Sequence, residues 1–368
     1  MSAFRLAYVP YRVRFKRQLV TGRAVHTHRE GWWVAVKDDE GRLGFGEVAP
    51  LPAFGGEDHE TAAAMLARLA RSPLDVPDDA GLDDLAPALS RAGLALERAP
   101  CVHAGVELAL LDAIAAHRRH ALAHELGDSP APAAALQRLL TALAPDEVVK
   151  EGERAVEAGF TTLKLKVGAL SPSEDLARVS ALRSRFPAIR LRLDANGAWS
   201  EAAALAAIDA LAPFGIDLLE QPIEGEAFEA LRGRGIPIAA DEALLSPSTA
   251  SRLIAAGAVD ALVLKPMLLG GLGTARALAA RAQERGIRVV VTSSLDRIVG
   301  VAAALHLACA LETREPAGLS TLSLLDCPDA QGPLQPRAGA LTRPAGPGLG
   351  VRPPDDAIAT LLRNLERC

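Results

Sequence analysis

The residues best placed to do chemistry are charged groups that close short apolar runs in the second half of the chain. The run 161–166 ends in Lys164-Leu165-Lys166, and the next four end in Asp194, Glu220, Asp241 and Lys265. From Lys166 onward the steps are 28, 26, 21 and 24 residues, each about one strand, one helix and two short loops. Side chains two apart on a strand point the same way, so Lys164 and Lys166 share one side of theirs. A K-x-K alone is ordinarily a solvated edge, and a lone acid at a strand end ordinarily caps the next helix. Neither explanation covers five successive runs closing in this order of charges.

Three carboxylates converging on one place repel one another and take up protons unless a cation compensates them. Oxygen donors without histidine or cysteine suit Mg²⁺, with Mn²⁺ as the alternative, rather than zinc. Asp194, Glu220 and Asp241 are therefore the expected metal ligands. Open positions on such an ion would take a substrate carboxylate, and loss of the adjacent α-proton would give an enediolate whose charge the ion stabilises. A lysine acting as base must be neutral, and a second lysine and the ion nearby push its pKa down. The expected partner is a small-molecule carboxylate.

Positioning these groups requires a repeated βα frame. Apolar segments at 135–141, 161–166, 189–194, 216–220, 236–241, 259–265, 287–293 and 316–321 alternate with Ala-rich amphipathic helices at 173–185, 201–212 and 246–256. This predicts an α/β fold: a (β/α)8, TIM-like barrel over 131–334 whose strand ends gather a site on one face. Strands two and six of an eight-stranded ring face each other, which sets Lys164 and Lys166 opposite Lys265 with the acids on the arc between. Gly270-Gly271-Leu272-Gly273 lacks phosphate-loop spacing and reads as a tight turn into a helix.

Residues 1–130 read as an α+β capping domain. It has a strand at 4–15, a hairpin at 31–37 and 41–47, helices at 60–71 and 101–120, and a loop at 72–88 signalled by Pro73 and Pro77. The Pro- and Gly-rich segment 335–368, with a helix at 355–366, is expected to pack back on it and complete it. Stretches 20–28 and 53–58 are expected to be mobile loops over the barrel mouth, with Gly22, Gly55 and Gly56 permitting closure and Arg17 and Arg23 near a substrate carboxylate.

A net charge of -5 with scattered Lys and Arg makes no electrostatic case for nucleic acid or an anionic membrane. The most apolar segments are interrupted by charges, so no membrane span is expected. The four cysteines form no C-x-x-C pair and the first 15 residues contain no apolar leader, so a cytoplasmic location is the default. The eight histidines form no triad or zinc motif, and His306 reads as a core residue of an Ala/Leu helix. A homo-oligomer is allowed by the sequence but not specified by it.

The motifs Leu163-Lys164-Leu165-Lys166, Asp194-Ala195-Asn196-Gly197, Glu220-Gln221-Pro222, Ala240-Asp241-Glu242 and Leu264-Lys265-Pro266 resemble those of the enolase superfamily, in its muconate lactonizing enzyme-like branch. The resemblance implies a Mg²⁺ site at Asp194, Glu220 and Asp241. It further implies Lys166 as principal acid/base, Lys265 on the opposite face, Lys164 assisting, and Asn196 and Glu242 behind them. Within the branch, the stretches 45–52, 265–271 and 292–296 most resemble o-succinylbenzoate synthases. That implies dehydration of a cyclohexadiene carboxylate on the path to menaquinone or phylloquinone, with Ser293, Ser294 and Gly318 lining the pocket for the succinyl tail. An N-acylamino acid racemase is the competing implication. A dipeptide epimerase is disfavoured, because 318–322 lacks the Asp-x-Asp pair that holds an α-ammonium. A different class of alternative is a barrel that binds without catalysis.

Overall fold

The computed structural model describes residues 1–20, 25–225, 227–311 and 313–367. It begins with an antiparallel sheet in which β1 (Ser2–Val20) pairs with β2 (Val25–Lys37) and β2 with β3 (Leu43–Val48). Residues 31–36 of β2 are buried without alternation, as in a strand covered on both faces. The hairpin continues past a register shift between Arg14 and Leu19 to the pairs Leu19 with His26 and Val20 with Val25. Residues 25–28, expected as part of a loop, are therefore strand. Arg17 is exposed on this arm, whereas Gly22 and Arg23 lie outside the described residues.

Helix α1 (His59–Leu69) starts at Asp58, whose carboxylate accepts the Thr61 N–H at 2.6 Å. The expected loop at 72–88 instead contains β4 (Leu74–Val76), paired with β1, and the start of α2 (Leu82–Arg91). Leu82, Leu85, Ala88 and Leu89 are buried at helical spacing. Three leucines at about 1.5–3 kcal/mol each outweigh the about 3 kcal/mol cost of Pro87 inside the helix. Helix α3 (Pro100–His117) is buried along most of its length and packs against β2 and β3.

After β5 (Ala133–Ala135) comes the parallel barrel sheet. Its elements in chain order are β6 (Gln137–Leu140), α4 (Pro145–Glu157), β7 (Thr162–Lys166), α5 (Pro172–Arg185), β8 (Arg190–Asp194), α6 (Glu201–Leu211), β9 (Leu218–Glu220), β10 (Ile238–Ala240), α7 (Pro247–Ala256), β11 (Ala261–Leu264), α8 (Pro266–Leu269), α9 (Leu272–Gln283), β12 (Arg288–Val291) and α10 (Ile298–Ala310). The seven strands lie in sequence order from β6 to β12. The ring closes at the eighth position through Ala317, bridged to Leu136, and Gly318, bridged to Thr292. Gln137 N–H donates to the Ala317 carbonyl at 3.0 Å and Gly318 N–H to the Val291 carbonyl at 2.9 Å. The eighth segment is thus two bridging residues rather than the run expected at 316–321, because a 3-10 turn begins at Thr321.

Leu218, Ala239, Ala261, Val263 and Val290 form a separate apolar cluster, as inward-facing barrel side chains do. Buried Arg192 binds Gln137 Oε1 at 2.8 Å, Asp217 at 2.8 Å and Glu315. The chain ends with β13 (Leu325–Asp326) on β1, β14 (Ala340–Thr342) on β5, and α11 (Asp355–Leu365), which packs on β1 and β2. Among the described residues, no helix is long and apolar enough to cross a membrane.

Candidate active site

Parallel register brings the strand-end charges together. Lys166 pairs with Asp194 across β7 and β8, and Asp194 with Glu220 across β8 and β9. Lys164 Nζ lies 2.7 and 2.8 Å from the two Glu220 oxygens and 2.9 Å from Asp194 Oδ2. Lys166 Nζ reaches Asp194 Oδ2 at 2.9 Å and Asn196 Oδ1 at 2.5 Å. Asn196 in turn donates through Nδ2 to Glu242 Oε1 at 3.1 Å. Lys265, just beyond β11, is paired with Asp241, and its ammonium stands 5.5 Å over the Phe54 ring, a cation–π distance.

Burial opposes charge on Lys164, but Asp194 and Glu220 outweigh it and hold the amine above its ordinary range. Burial likewise opposes charge on Lys265, and Asp241, Glu242 and Glu220 outweigh it. Asp194 is held below the ordinary carboxylate range; its burial is outweighed by Lys164 and Lys166.

Among the described residues, no three carboxylate, imidazole or thiolate groups already enclose one ion. Asp194 and Glu220 are turned to Lys164, and Asp241 to Lys265. The donor set nonetheless fits a hard divalent cation in chemistry: three buried carboxylates from neighbouring strands, with no nitrogen or sulfur ligand. Charge balance points the same way. Burial pushes the Asp241 carboxyl well up against the pull of Lys265, and Glu242, Glu220 and Asp194 add to the rise, a crowding of carboxylates that a cation would relieve.

The lysines, Asp194 and Asn196 open onto a cleft that is also lined by Ser293, Ser294 and Gly318. Glu220 and Asp241 lie behind the lysines and do not line it. Ser293 Oγ is 2.8 Å from Thr321 Oγ1, and Ser294 Oγ donates to Asp296 Oδ1 at 2.6 Å. A Cβ at Gly318 would meet Thr292 Oγ1 at 2.3 Å, so glycine there keeps the ring closed as well as the cleft open.

Sequence reasoning expected 53–58 over the mouth but named none of the apolar cleft walls: Leu19 from the hairpin, Leu51 and Phe54 from the turn after β3, and Leu295 after β12. No local signal marks such residues, because they meet only when the capping sheet sits on the barrel. It also left Gln221 without a role. Its side-chain oxygen accepts the Asp241 and Ala243 N–H groups at 2.9 and 3.2 Å, and its Nε2 donates to the Ile223 carbonyl. Gln221 thereby ties the Glu220 and Asp241 strand ends together.

Residues 147–357 match the family described as enolase C-terminal domain-like, and residues 5–90 match the MenC N-terminal domain. Muconate cycloisomerase 1 of Rhodococcus opacus is 32% identical over 341 residues, 90% of each chain. An o-succinylbenzoate synthase of Thermobifida fusca is 39% identical over 206 residues, 54% of this chain and 63% of that one. The solved dipeptide epimerase of Enterococcus faecalis, complexed with Mg and the dipeptide L-Leu-L-Tyr, superposes with a TM-score of 0.83 at 25% identity, over 96% of this chain and all of that one. This chain, a parallel barrel with a capping sheet, belongs to the enolase superfamily, in its muconate lactonizing enzyme-like branch.

Proposed function

We propose that this enzyme abstracts the proton α to a substrate carboxylate and dehydrates 2-succinyl-6-hydroxy-2,4-cyclohexadiene-1-carboxylate to o-succinylbenzoate. The observation that carries the acid/base chemistry is the placement of Lys164 and Lys166 on one side of the cleft and Lys265 on another, with carboxylates behind. Asp194, Glu220 and Asp241 would hold Mg²⁺, or Mn²⁺ in its place, which when bound supplies positive charge to the substrate carboxylate and to the enediolate.

In this reading Lys166 Nζ, oriented by Asn196 Oδ1, takes the α-proton. The electrons of the broken C–H bond move onto the substrate carboxylate, giving the enediolate, and then return to the ring as the C–O bond to the hydroxyl breaks. Lys166 returns the same proton to the departing hydroxide on the same face, so that water leaves. Lys265 stays protonated and stabilises the enediolate from its own side, while Lys164 adds positive charge beside it. The Thermobifida relative and the MenC N-terminal match support dehydration over the other activities of the branch. The stretch Gly318-Leu319-Ser320-Thr321-Leu322 carries no acid to hold an α-ammonium, which speaks against dipeptide epimerisation alone.

N-acylamino acid racemisation is the second reading, favoured by a lysine on each side of the cleft. The test is direct assay of the purified protein with Mg²⁺ on the cyclohexadiene precursor beside a panel of N-acylamino acids. The expected outcome is appearance of the aromatic product. Racemisation without dehydration would transfer the assignment to the second reading, and turnover of neither would remove both.

A further inference from the structure

The segment after β12 carries Ser293, Ser294 and Leu295 into the cleft, and the N-terminal sheet grips it. Arg29 on β2 is 2% exposed. Its Nε donates to the Leu295 carbonyl at 3.1 Å, its Nη1 to the Glu30 and Pro50 carbonyls at 3.0 and 2.5 Å, and its Nη2 to the Ala49 carbonyl. Asp296, equally buried, stands 3.8 Å from the guanidinium and accepts both the hydroxyl and the N–H of Ser294. Glu47 on β3 accepts the N–H groups of Arg297 and Gly300 at 2.8 and 2.9 Å. Between these anchors Leu295 has φ +62. A leucine rarely adopts that conformation, which persists only where the surroundings over-determine it. Its side chain lines the cleft and packs on the cluster of Phe15, Leu19 and Leu325.

One guanidinium therefore binds the backbone of two cleft walls. Leu295 belongs to one wall, and Ala49-Pro50 leads directly into Leu51 and Phe54 of the other. We infer that Arg29 is a positioning residue for substrate selection: with Asp296 it latches Leu295 in its left-handed conformation and fixes the spacing of Leu295 from the Leu51 and Phe54 wall, and so sets the width available to the part of the substrate remote from the reacting carboxylate. The rigid fork of arginine reaches carbonyls that a lysine amine cannot reach together. The inference rests on the proposed function only for the choice of assay.

The experiment has two arms, applied to Arg29→Gln, to Leu295→Gly and to the double variant, with Arg29→Lys standing in should Arg29→Gln not fold. Hydrogen exchange without substrate comes first. Arg29→Gln is expected to speed exchange at 49–54 and 295–297 by about tenfold or more while the barrel strands keep their protection. Unchanged exchange in those two segments overturns the latch, whatever the enzyme turns over. Steady-state kinetics follow, on any substrate of the panel that the wild type converts. Arg29→Gln is expected to raise KM about tenfold with kcat within about threefold. In the Leu295→Gly background the same change should move KM by less than about twofold, because residues acting through one another are not additive. A KM effect of equal size in both backgrounds, or a fall in kcat alone, overturns the selection role. If the wild type converts nothing, the functional reading fails and the exchange arm alone decides the latch.

Discussion

Among the described residues, five that are not glycine have positive φ, and three of them stand at barrel strand ends: Asn196 after β8, Gln221 after β9 and Leu295 after β12. Each is held by named partners: Asn196 by Lys166 and Glu242, Gln221 by the Asp241 and Ala243 N–H groups, and Leu295 by Arg29. Backbone strain of this kind costs of order 1–3 kcal/mol per residue and clusters where side chains must be aimed. Here it aims the amide that orients Lys166 and joins the two strand ends that carry Glu220 and Asp241. The lysines then separate by role. Lys166→Ala should abolish dehydration, by about a hundredfold or more as expected for loss of a general base, with the thermal midpoint essentially kept. In the proposed reaction Lys265 transfers no proton, so Lys265→Arg should retain measurable dehydration while any racemisation of N-acylamino acids disappears. Steady-state assays of both variants on both substrates check this, and equal loss of the two activities in Lys265→Arg would contradict the division of roles.

At the scale of elements, the α10 histidine shows how a buried group becomes a pH dependence. His306 is fully buried; its Nδ1 accepts the Ala123 N–H at 3.1 Å, so its Nε2 carries the proton donated to the Leu349 carbonyl at 3.0 Å. It joins α10 to the 122–125 turn and to the C-terminal segment. Burial lowers its pKa from 6.5 to about 4, so its neutral form stabilises the fold fully above about 6.5, and that contribution is lost as pH falls toward 4. The shift corresponds to about 3 kcal/mol. His306→Gln, which keeps a donor and an acceptor but cannot titrate, should lose less stability than the wild type between pH 7 and pH 4 in urea unfolding. Equal losses would refute the linkage. The barrel strands and helices were legible because their periods and terminal charges are local signals. Helix α2 was not, since Pro73, Pro77 and the Asp and Gly residues beside them suggest a loop and only the core decides that Leu82, Leu85 and Leu89 are buried. The far end of the β1–β2 hairpin was hidden for the same reason: its register is set by pairing between distant residues. The inner lysines and acids were legible for chemical reasons, whereas Gln221, Arg29 and the apolar cleft walls depend on contacts between elements.

The largest apolar core runs from Phe4 to Leu365 through both the capping sheet and the barrel, so the two are expected to unfold together. A polar contact inside that union explains the run Gly270-Gly271-Leu272-Gly273. The turn receives a carboxylate of its own chain: Glu107 of α3, 1% exposed, accepts the Leu272 N–H at 2.6 Å and the Gly273 N–H at 3.2 Å at the start of α9. A Cβ on Gly271, where φ is +133, would lie 2.3 Å from Glu107 Oε1. Burial pushes the Glu107 carboxyl up to about 7, against the lowering effect of the Gly273 and Leu272 N–H groups. Because the folded pKa lies above the unfolded value near 4.5, the stabilisation linked to this proton is complete below about pH 4.5. It is lost as pH rises through about 7, a span of about 3 kcal/mol. Glu107→Gln keeps a carbonyl for the Leu272 N–H and removes the titration. Urea unfolding at pH 5 and pH 8 should therefore show a smaller decline for Glu107→Gln than for the wild type, in a single transition for both proteins. The same decline in both would mean that Glu107 is already charged at pH 5, held there by the helix N-terminus. Separate transitions would mean that the cap and barrel are joined less tightly than their common core implies.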